Sequence, residues 1–168
     1  QPYVLRSVAS RYLAASGRGQ DAGGGLGARV AVAEHTALDA VVGRKLRRQL
    51  GLDRARLLAC GAAPVDPELL RWFHGIGLPV AEGYGMTEVS LCTSMNRPGD
   101  IRIGTVGPPV PGVSVKISAE GEILVRGENV CAGYWQDPDA SSELVDAAGW
   151  LHTGDLGQLD ADGFLMVT

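Results

Sequence analysis

The chain has 168 residues, 45% of them hydrophobic and 20% charged, which is the composition of an ordinary globular protein. Its net charge of -4 argues against a nucleic-acid partner, because phosphate backbones are bound chiefly by clustered Lys and Arg. No apolar run approaches the roughly 20 residues that span a bilayer. Three cysteines without CxxC spacing support neither a disulfide framework nor a zinc site, so a reducing, cytoplasmic setting is expected.

The first 35 residues are predicted to form the end of a helix and then a flexible, glycine-rich insertion. Residues 2–15 have helical character and are followed by SGRGQDAGGGLG. The letters GGGLGA within this stretch match a dinucleotide-binding loop. No strand precedes them, however, so a flexible insertion is the favoured interpretation.

Residues 37–50 are predicted to form an amphipathic helix that ends at Gly51. Its apolar face consists of residues at helical spacing, namely Leu38, Val41, Val42, Leu46 and Leu50. A basic cluster lies on the same helix and comprises Arg44, Lys45, Arg47 and Arg48. We interpret the cluster as a solvated helix face, with an anionic ligand or a membrane surface as the alternative.

A strand, a turn, a helix and a second strand are predicted next. Residues 56–59 form the first strand, and residues 61–64 form the turn. Asp66 and Pro67 have the signature of an N-cap and a first-turn proline, and the helix they begin carries Leu69, Leu70 and Phe73. The second strand covers residues 78–81. Residues 36–99 therefore alternate in the manner of an α/β sheet.

Residues 100–168 change character and predict a mainly antiparallel β subdomain. Apolar and polar residues alternate over 113–118, and a second strand follows at 122–126, which predicts a hairpin. The segments LGQLD and FLMVT flank a turn at residues 160–163 and predict another hairpin. The boundary between the α/β part and the β part is placed near residues 99–112, where glycines and prolines accumulate.

The segment EGYGMTE at residues 82–88 contains the groups that hold a nucleotide. Gly83 and Gly85 allow the backbone to approach a ligand closely, and Tyr84 offers a flat aromatic face. Thr87 supplies a hydroxyl group, and Glu88 supplies the hard oxygen that Mg²⁺ binds together with phosphate oxygens. The alternative is a turn followed by a helix that Thr87 caps.

The segment GWLHTGDLGQLDADGF at residues 149–164 is dense in glycine around one carboxylate, Asp155. A carboxylate in a glycine-flanked turn can accept both hydroxyl groups of a ribose, and a capped β-turn is the alternative. DADG at its end lacks the further ligands of a calcium loop and is predicted to be the hairpin turn. His152 is interpreted as structural.

Two further segments supply small or aromatic residues. CGAAP at residues 60–64 follows a predicted strand, so its small side chains lie at the carboxyl end of a sheet, where α/β proteins bind ligands. A tight turn without a ligand is the alternative. In VRGENVCAGYWQDP at residues 125–138, Tyr134 and Trp135 are interpreted as packing residues rather than ligands.

Three segments of the chain resemble, in their order, the adenylate-forming superfamily, which activates carboxylic acids with ATP. They are LLACGAAPV, EGYGMTE and GWLHTGDLGQLDADGF. Within this superfamily the likeness is to long-chain acyl-CoA synthetases. The resemblance implies part of their large amino-terminal domain, with a fatty acid, ATP, Mg²⁺ and CoA as partners. It assigns the adenine and acyl border to Gly61, Ala62 and Ala63, the adenine to Tyr84 and its amino group to Glu82, and nucleotide binding to Gly83 and Gly85. It assigns the α-phosphate to Thr87, the metal to Glu88 and the ribose to Asp155, with Thr87 and Glu88 as the catalytic residues.

The resemblance also implies parts that the sequence does not contain. In the family, a Ser/Thr/Gly-rich phosphate loop precedes this segment, and a catalytic lysine lies in a later carboxy-terminal domain. The only two lysines here, Lys45 and Lys116, stand at neither position. We therefore expect a fragment of a fatty-acid–CoA ligase that is inactive by itself. The alternative is a truncated, non-catalytic nucleotide-binding or interaction chain, and peripheral membrane contact and oligomeric state stay open.

Overall fold

The computed structural model describes residues 39–168, so the features predicted for residues 1–38 lie outside it. A π-helical turn, Asp39–Gly43, continues into α1. A 3-10 turn occupies Thr87–Val89. The helices are α1 (Arg44–Gln49), α2 (Pro67–Gly75) and α3 (Pro138–Leu144). The strands are β1 (Leu58–Cys60), β2 (Val80–Tyr84), β3 (Ser94–Met95), β4 (Val113–Ile117), β5 (Glu122–Gly127), β6 (Leu151–Leu159) and β7 (Leu165–Val167).

The chain divides into two compact units. The first contains Asp66–Val80 together with the chain up to Leu58, and the second contains Ala59–Val65 and Ala81–Thr168. In the first unit, Ile76 and Leu78 form a small buried core against which Leu46 and Phe73 pack. Helix α2 begins as predicted, because the Asp66 side chain accepts a hydrogen bond from the Glu68 amide.

The predicted helix over 37–50 is confirmed where the structure describes it, and its basic cluster does not act as one surface. Arg47 turns inward, where its guanidinium binds both carboxylate oxygens of Asp39 and the carbonyl oxygen of Ile76. Arg44 and Lys45 are exposed. Leu50, which the pattern placed on the apolar face, is 46% exposed because the helix ends there.

Two predicted strands begin two residues later in the structure than the sequence predicted. The strand predicted at 56–59 is found as β1, and the one predicted at 78–81 is found as β2. Leu78 is buried in the core beside α2, so the strand starts later and runs into the motif itself. There Gly83 and Tyr84 pair with Met95 and Ser94 of β3. The three strands form one sheet in the order β1-β2-β3.

The second unit also holds a four-stranded antiparallel sheet in the order β4-β5-β6-β7, which confirms both predicted hairpins. Its core is a cluster of buried apolar side chains, including Ile123, Val125, Leu151 and Leu165. Two backbone hydrogen bonds tie the 104–110 segment to β7: the Val106 amide donates to the Leu165 carbonyl oxygen, and the Leu165 amide donates to the Gly107 carbonyl oxygen. The same segment pairs with residues 93–95 through Val110 and Met95.

The β part contains one helix that the sequence analysis missed, α3. Asp137 caps it by accepting a hydrogen bond from the Ala140 amide, and Pro138 occupies the first turn. This is the same Asp-Pro signature that located α2, so the local sequence contained the signal. No helix among residues 39–168 is long and apolar enough to cross a membrane.

Candidate nucleotide-binding site

A cleft of about 430 Å³ lies in the second unit and is the candidate site. Pockets of this size can hold a small ligand. Eight of the ten residues proposed from the sequence line it, namely Gly61, Ala62, Ala63, Glu82, Gly83, Tyr84, Gly85 and Asp155. The structure thus brings together three motifs that are separated by up to 94 positions in the sequence.

The first wall is the loop that follows β1, and it lies close to β2. A Cβ atom on Gly61 would stand 2.7 Å from the carbonyl oxygen of Gly83, so any larger residue would force the two backbones apart. Ala62 adopts a left-handed backbone with φ 65, a conformation that costs energy for a residue with a side chain. The chain bends at Ala62 and Ala63 without a hydrogen-bonded turn, and the small side chains of this loop face the cleft.

The second wall is the end of β2, where Tyr84 meets Asp155. The Tyr84 hydroxyl donates a hydrogen bond of 2.5 Å to Oδ2 of Asp155, across 71 positions of sequence. Burial raises the pKa of Tyr84, and the hydrogen bond to Asp155 raises it further. The tyrosine is therefore a neutral donor at neutral pH, and it holds the carboxylate at the rim of the cleft.

Asp155 does not lie in a turn, as the sequence predicted, but within strand β6. In a regular register residue 154 would oppose Glu122, but Leu156 stands there, so β6 carries two extra residues between His152 and Leu156. Gly154 has φ +73 inside this irregularity. The local glycine made the segment look like a turn, whereas the strand continues on both sides.

Thr87 and Glu88 do not line the cleft; they lie in the 3-10 turn that follows β2. Thr87 does not cap a helix, because the N-cap residue is Met86 and no side chain bonds there. Oε1 of Glu88 accepts a hydrogen bond of 2.8 Å from the Tyr134 hydroxyl. The interpretation of the aromatic pair as packing residues is wrong: Tyr134 is 43% exposed and Trp135 is 89% exposed.

One wall of the cleft, formed by Gly104, Thr105 and Val106, was not predicted from the sequence. This stretch belongs to residues 99–112, whose glycines and prolines predict the boundary between the α/β part and the β part, not a wall of the site. Its position depends on Asn96, which is 1% exposed and whose side-chain amide donates to the Thr105 carbonyl oxygen. Only the pairing of distant segments puts this stretch in the site, so no local signal could have identified it.

An apolar pocket of about 280 Å³ shares Gly61 and Tyr84 with the cleft. Leu91, Cys92 and Met95 are among its lining residues. Burial raises the pKa of the Cys92 thiol, which therefore stays protonated at neutral pH. The three cysteines of the chain are free. The arrangement offers an apolar compartment beside a polar cleft.

Comparison with known proteins identifies relatives for most of the chain. The family described as "AMP-binding enzyme" matches residues 21–135. The long-chain-fatty-acid–CoA ligase FadD15 of Mycobacterium bovis is 45% identical over 136 residues, which are 81% of this chain and 22% of that protein. The chain spans about a fifth to a quarter of the length of the curated relatives it matches.

Solved structures match the fold as well. Apo MatB from Rhodopseudomonas palustris is 31% identical with a TM-score of 0.66, over 80% of this chain and 29% of that one. O-succinylbenzoate coenzyme A synthetase from Bacillus subtilis, solved in complex with ATP and a magnesium ion, is 34% identical with a TM-score of 0.61, over 67% of this chain and 26% of that one. The predicted fold class, an α/β part followed by an antiparallel β part of a synthetase-like domain, is confirmed.

Proposed function

The chain belongs to the AMP-binding enzyme family, and from that premise we propose that it is part of an ATP-dependent long-chain fatty-acid–CoA ligase. The similarity to long-chain-fatty-acid–CoA ligases supports this choice within the family. The observation that carries the proposal is the 2.5 Å hydrogen bond between Tyr84 and Asp155 at the rim of one cleft. It joins the two motifs that would share the adenosine.

In the proposed complex, the adenosine of ATP occupies the cleft. The Tyr84 ring and the small residues Gly61 to Ala63 border the adenine, and Glu82 contacts its amino group. Asp155 accepts hydrogen bonds from the ribose hydroxyls. Losing such charge-assisted hydrogen bonds costs about 1.5 to 3 kcal/mol, or roughly 10- to 100-fold in affinity.

The proposed reaction has two steps. A carboxylate oxygen of the fatty acid attacks the α-phosphorus of ATP, the bond to the β-phosphate oxygen breaks, and pyrophosphate leaves. The thiol sulfur of CoA, having lost its proton to solvent, then attacks the acyl carbonyl, and AMP leaves as the thioester forms. The Thr87 hydroxyl would donate to an α-phosphate oxygen, where charge develops in the first step.

Mg²⁺ fits this site only as an ion that arrives with the nucleotide. Within residues 39–168, no three His, Cys, Asp or Glu side chains form a metal-binding group. Mg²⁺ commonly binds one or two carboxylates and completes its shell with phosphate oxygens and waters. Glu88 supplies one such carboxylate, with Oε1 held by Tyr134. When bound, the ion would neutralise phosphate charge.

The proposal extends to the organisation and setting of the protein. Residues 36–99 would belong to the α/β adenylate-binding part and residues 100–168 to the β part, after the insertion at 1–35. Because no lysine lines the described cleft, we propose that the isolated chain is inactive and that the parent ligase supplies the remaining groups. We propose a cytoplasmic protein that meets its apolar substrate at a membrane surface.

Pyrophosphate exchange into ATP tests the activity of the complete parent ligase. We expect exchange that depends on long-chain or medium-chain fatty acids, and Asp155→Ala should raise the KM for ATP roughly 10- to 100-fold. Glu120→Ala removes an exposed carboxylate of the β4–β5 turn and serves as the matched control. No exchange with any such acid would falsify the ligase proposal.

A non-catalytic nucleotide-binding chain is the second candidate, and the absence of a lysine from the described cleft lining favours it. Titrating Mg-ATP and AMP into the 168-residue chain by calorimetry measures its nucleotide binding. Saturable binding that Asp155→Ala weakens, together with no pyrophosphate exchange by the complete protein, supports nucleotide binding without catalysis. Binding that is absent, or indifferent to both Asp155→Ala and Glu88→Ala, eliminates this candidate.

A further inference from the structure

The backbone around Asp155 departs from the regular register of the sheet. We call residues 153–155, which contain the two extra positions of β6, the 153–155 bulge. Because the register shifts between Glu122 and Leu124, the bulge amides lose their ordinary partners on β5. Gly154 and Asp155 are exposed, so their amides can bond to water or to a protein group, and the structure provides protein acceptors for both.

The side chain of Glu122 takes the place of the missing backbone acceptor. Its Oε1 accepts a hydrogen bond of 2.9 Å from the Gly154 amide, which has the left-handed φ of +73. Its Oε2 lies 2.9 Å from Nδ1 of His152. One carboxylate therefore bridges the residue before the bulge and the glycine at its centre.

Thr153 completes the local network. Its hydroxyl donates to the Ile123 carbonyl oxygen at 2.8 Å and accepts from the Asp155 amide at 3.1 Å. The backbone on both sides of Gly154 is thus fixed to strand β5 through side chains. The Asp155 carboxylate leaves this framework toward the cleft, where Tyr84 donates to it.

We propose that Glu122 is a positioning residue for nucleotide binding: it fixes the 153–155 bulge so that Asp155 presents its carboxylate to the ribose hydroxyls of an adenine nucleotide. This inference rests on the proposed function. Glu122 acts through Asp155 and does not line the cleft itself. Its contribution should therefore depend on Asp155 being present.

Kinetics of pyrophosphate exchange by the complete ligase test the inference. Glu122→Ala should raise the KM for ATP roughly tenfold with kcat nearly unchanged, because ribose binding is equal in the ground and transition states. A variant that merely misfolds loses active enzyme and so lowers kcat. Glu122→Gln keeps an oxygen that accepts from Gly154, and its KM should stay within about threefold of the wild-type value.

Two further variants make the test specific. In an Asp155→Ala background, Glu122→Ala should add nothing, since coupled residues are not additive. Glu120→Ala, which removes an equal charge from the neighbouring turn, should leave the KM unchanged. The inference is overturned if Glu122→Ala leaves the KM for ATP unchanged, or if its effect adds in full to that of Asp155→Ala.

Amide exchange separates failure of this inference from failure of the proposed function. In the ligase, Glu122→Ala should accelerate hydrogen exchange at Gly154 at least tenfold, because its acceptor is lost. An unchanged rate of hydrogen exchange at the Gly154 amide in Glu122→Ala would mean that Glu122 does not hold the 153–155 bulge. If the wild-type ligase neither exchanges pyrophosphate into ATP nor binds AMP, the proposed function and the nucleotide role of Glu122 both fail. Hydrogen exchange at the Gly154 amide then still decides whether Glu122 holds the 153–155 bulge.

Discussion

Tyr134 shows what a single side chain can contribute from outside the cleft. Its hydroxyl group is bound to Glu88, and the hydrogen bond to this carboxylate raises the pKa of Tyr134. Its backbone amide donates to the Ser141 hydroxyl of α3 at 2.8 Å, so the residue is anchored on both sides. We therefore expect Tyr134 to restrict the orientations of the carboxylate that would bind Mg²⁺.

Replacing Tyr134 by Phe removes the hydroxyl group and keeps the ring. We expect the Mg²⁺ concentration that gives half-maximal pyrophosphate exchange to rise a few-fold, because ordering a free Glu side chain costs on the order of 1 kcal/mol. Trp135→Phe, at an 89% exposed neighbour, is the control. An unchanged or lower Mg²⁺ requirement in Tyr134→Phe would contradict a restraining role.

Glu122 provides a pH-dependent prediction at the same scale. Burial alone would raise its pKa, but hydrogen bonds from Gly154 and His152 outweigh burial and lower the pKa below 4.5. Its stabilising effect is therefore complete above about pH 4.5 and is lost as the pH falls through the lowered value. Glu122→Gln should have a lower free energy of unfolding than wild type near pH 7, and the difference between the two proteins should narrow toward pH 3.

Urea unfolding of the chain at a series of pH values measures this difference. The difference between the two urea midpoints is the quantity to follow. A difference between the midpoints that does not narrow between about pH 4.5 and pH 3 would mean that the ionised carboxylate does not stabilise the folded state. His152 faces the same carboxylate, so His152→Ala in both backgrounds shows how much of the difference belongs to the imidazole.

At the scale of elements, the cleft depends on the close approach of the loop after β1 to strand β2. Gly61→Ala would set a Cβ atom 2.7 Å from the Gly83 carbonyl oxygen, and backbone at this position cannot move aside cheaply. We expect a loss of about 1 to 3 kcal/mol in the free energy of unfolding and weaker AMP binding. Urea titration and calorimetry measure the two effects.

Ala62→Gly in the same loop is the matched control. Glycine relieves the left-handed φ of 65, which costs a side-chain-bearing residue about 1 kcal/mol or more, and adds a similar entropy to the unfolded chain. These opposing effects should leave stability nearly unchanged. If Gly61→Ala were tolerated as well as Ala62→Gly, the close approach would not limit the structure.

Elements with local signals were predictable, and those that depend on distant partners were not. Asp66 and Pro67 located α2, and the alternation at 113–117 located β4. Strand β2 started late because Leu78 belongs to a core that only tertiary packing creates. The turn predicted at Asp155 was wrong because β6 continues through this irregular segment, where the Glu122 side chain accepts from the Gly154 amide. Glu122 lies 33 positions before Asp155 in the sequence. The candidate residues came from the motifs and from the family resemblance that those motifs carry, and their roles stay predictions.

At the scale of the whole molecule, the cleft is built within one of the two units. Binding of AMP should therefore slow hydrogen exchange at residues 61–65, 82–85, 104–106 and 153–155. Helix α2, which belongs to the other unit, should exchange at an unchanged rate. Mass spectrometry of the deuterated chain measures both. Protection confined to α2, or none at saturating AMP, would place the ligand elsewhere.

The division of the chain has a consequence for how such a protein can recombine. The polypeptide enters the cleft-bearing unit at Ala59, leaves after Val65 and returns at Ala81. A genetic crossover anywhere within residues 66–80 would take the Gly61 wall from one parent and the Gly83 wall from the other. A Cβ atom at residue 61 would stand only 2.7 Å from the Gly83 carbonyl oxygen. A viable chimaera with such a crossover should therefore combine two parents that both have glycine at residue 61.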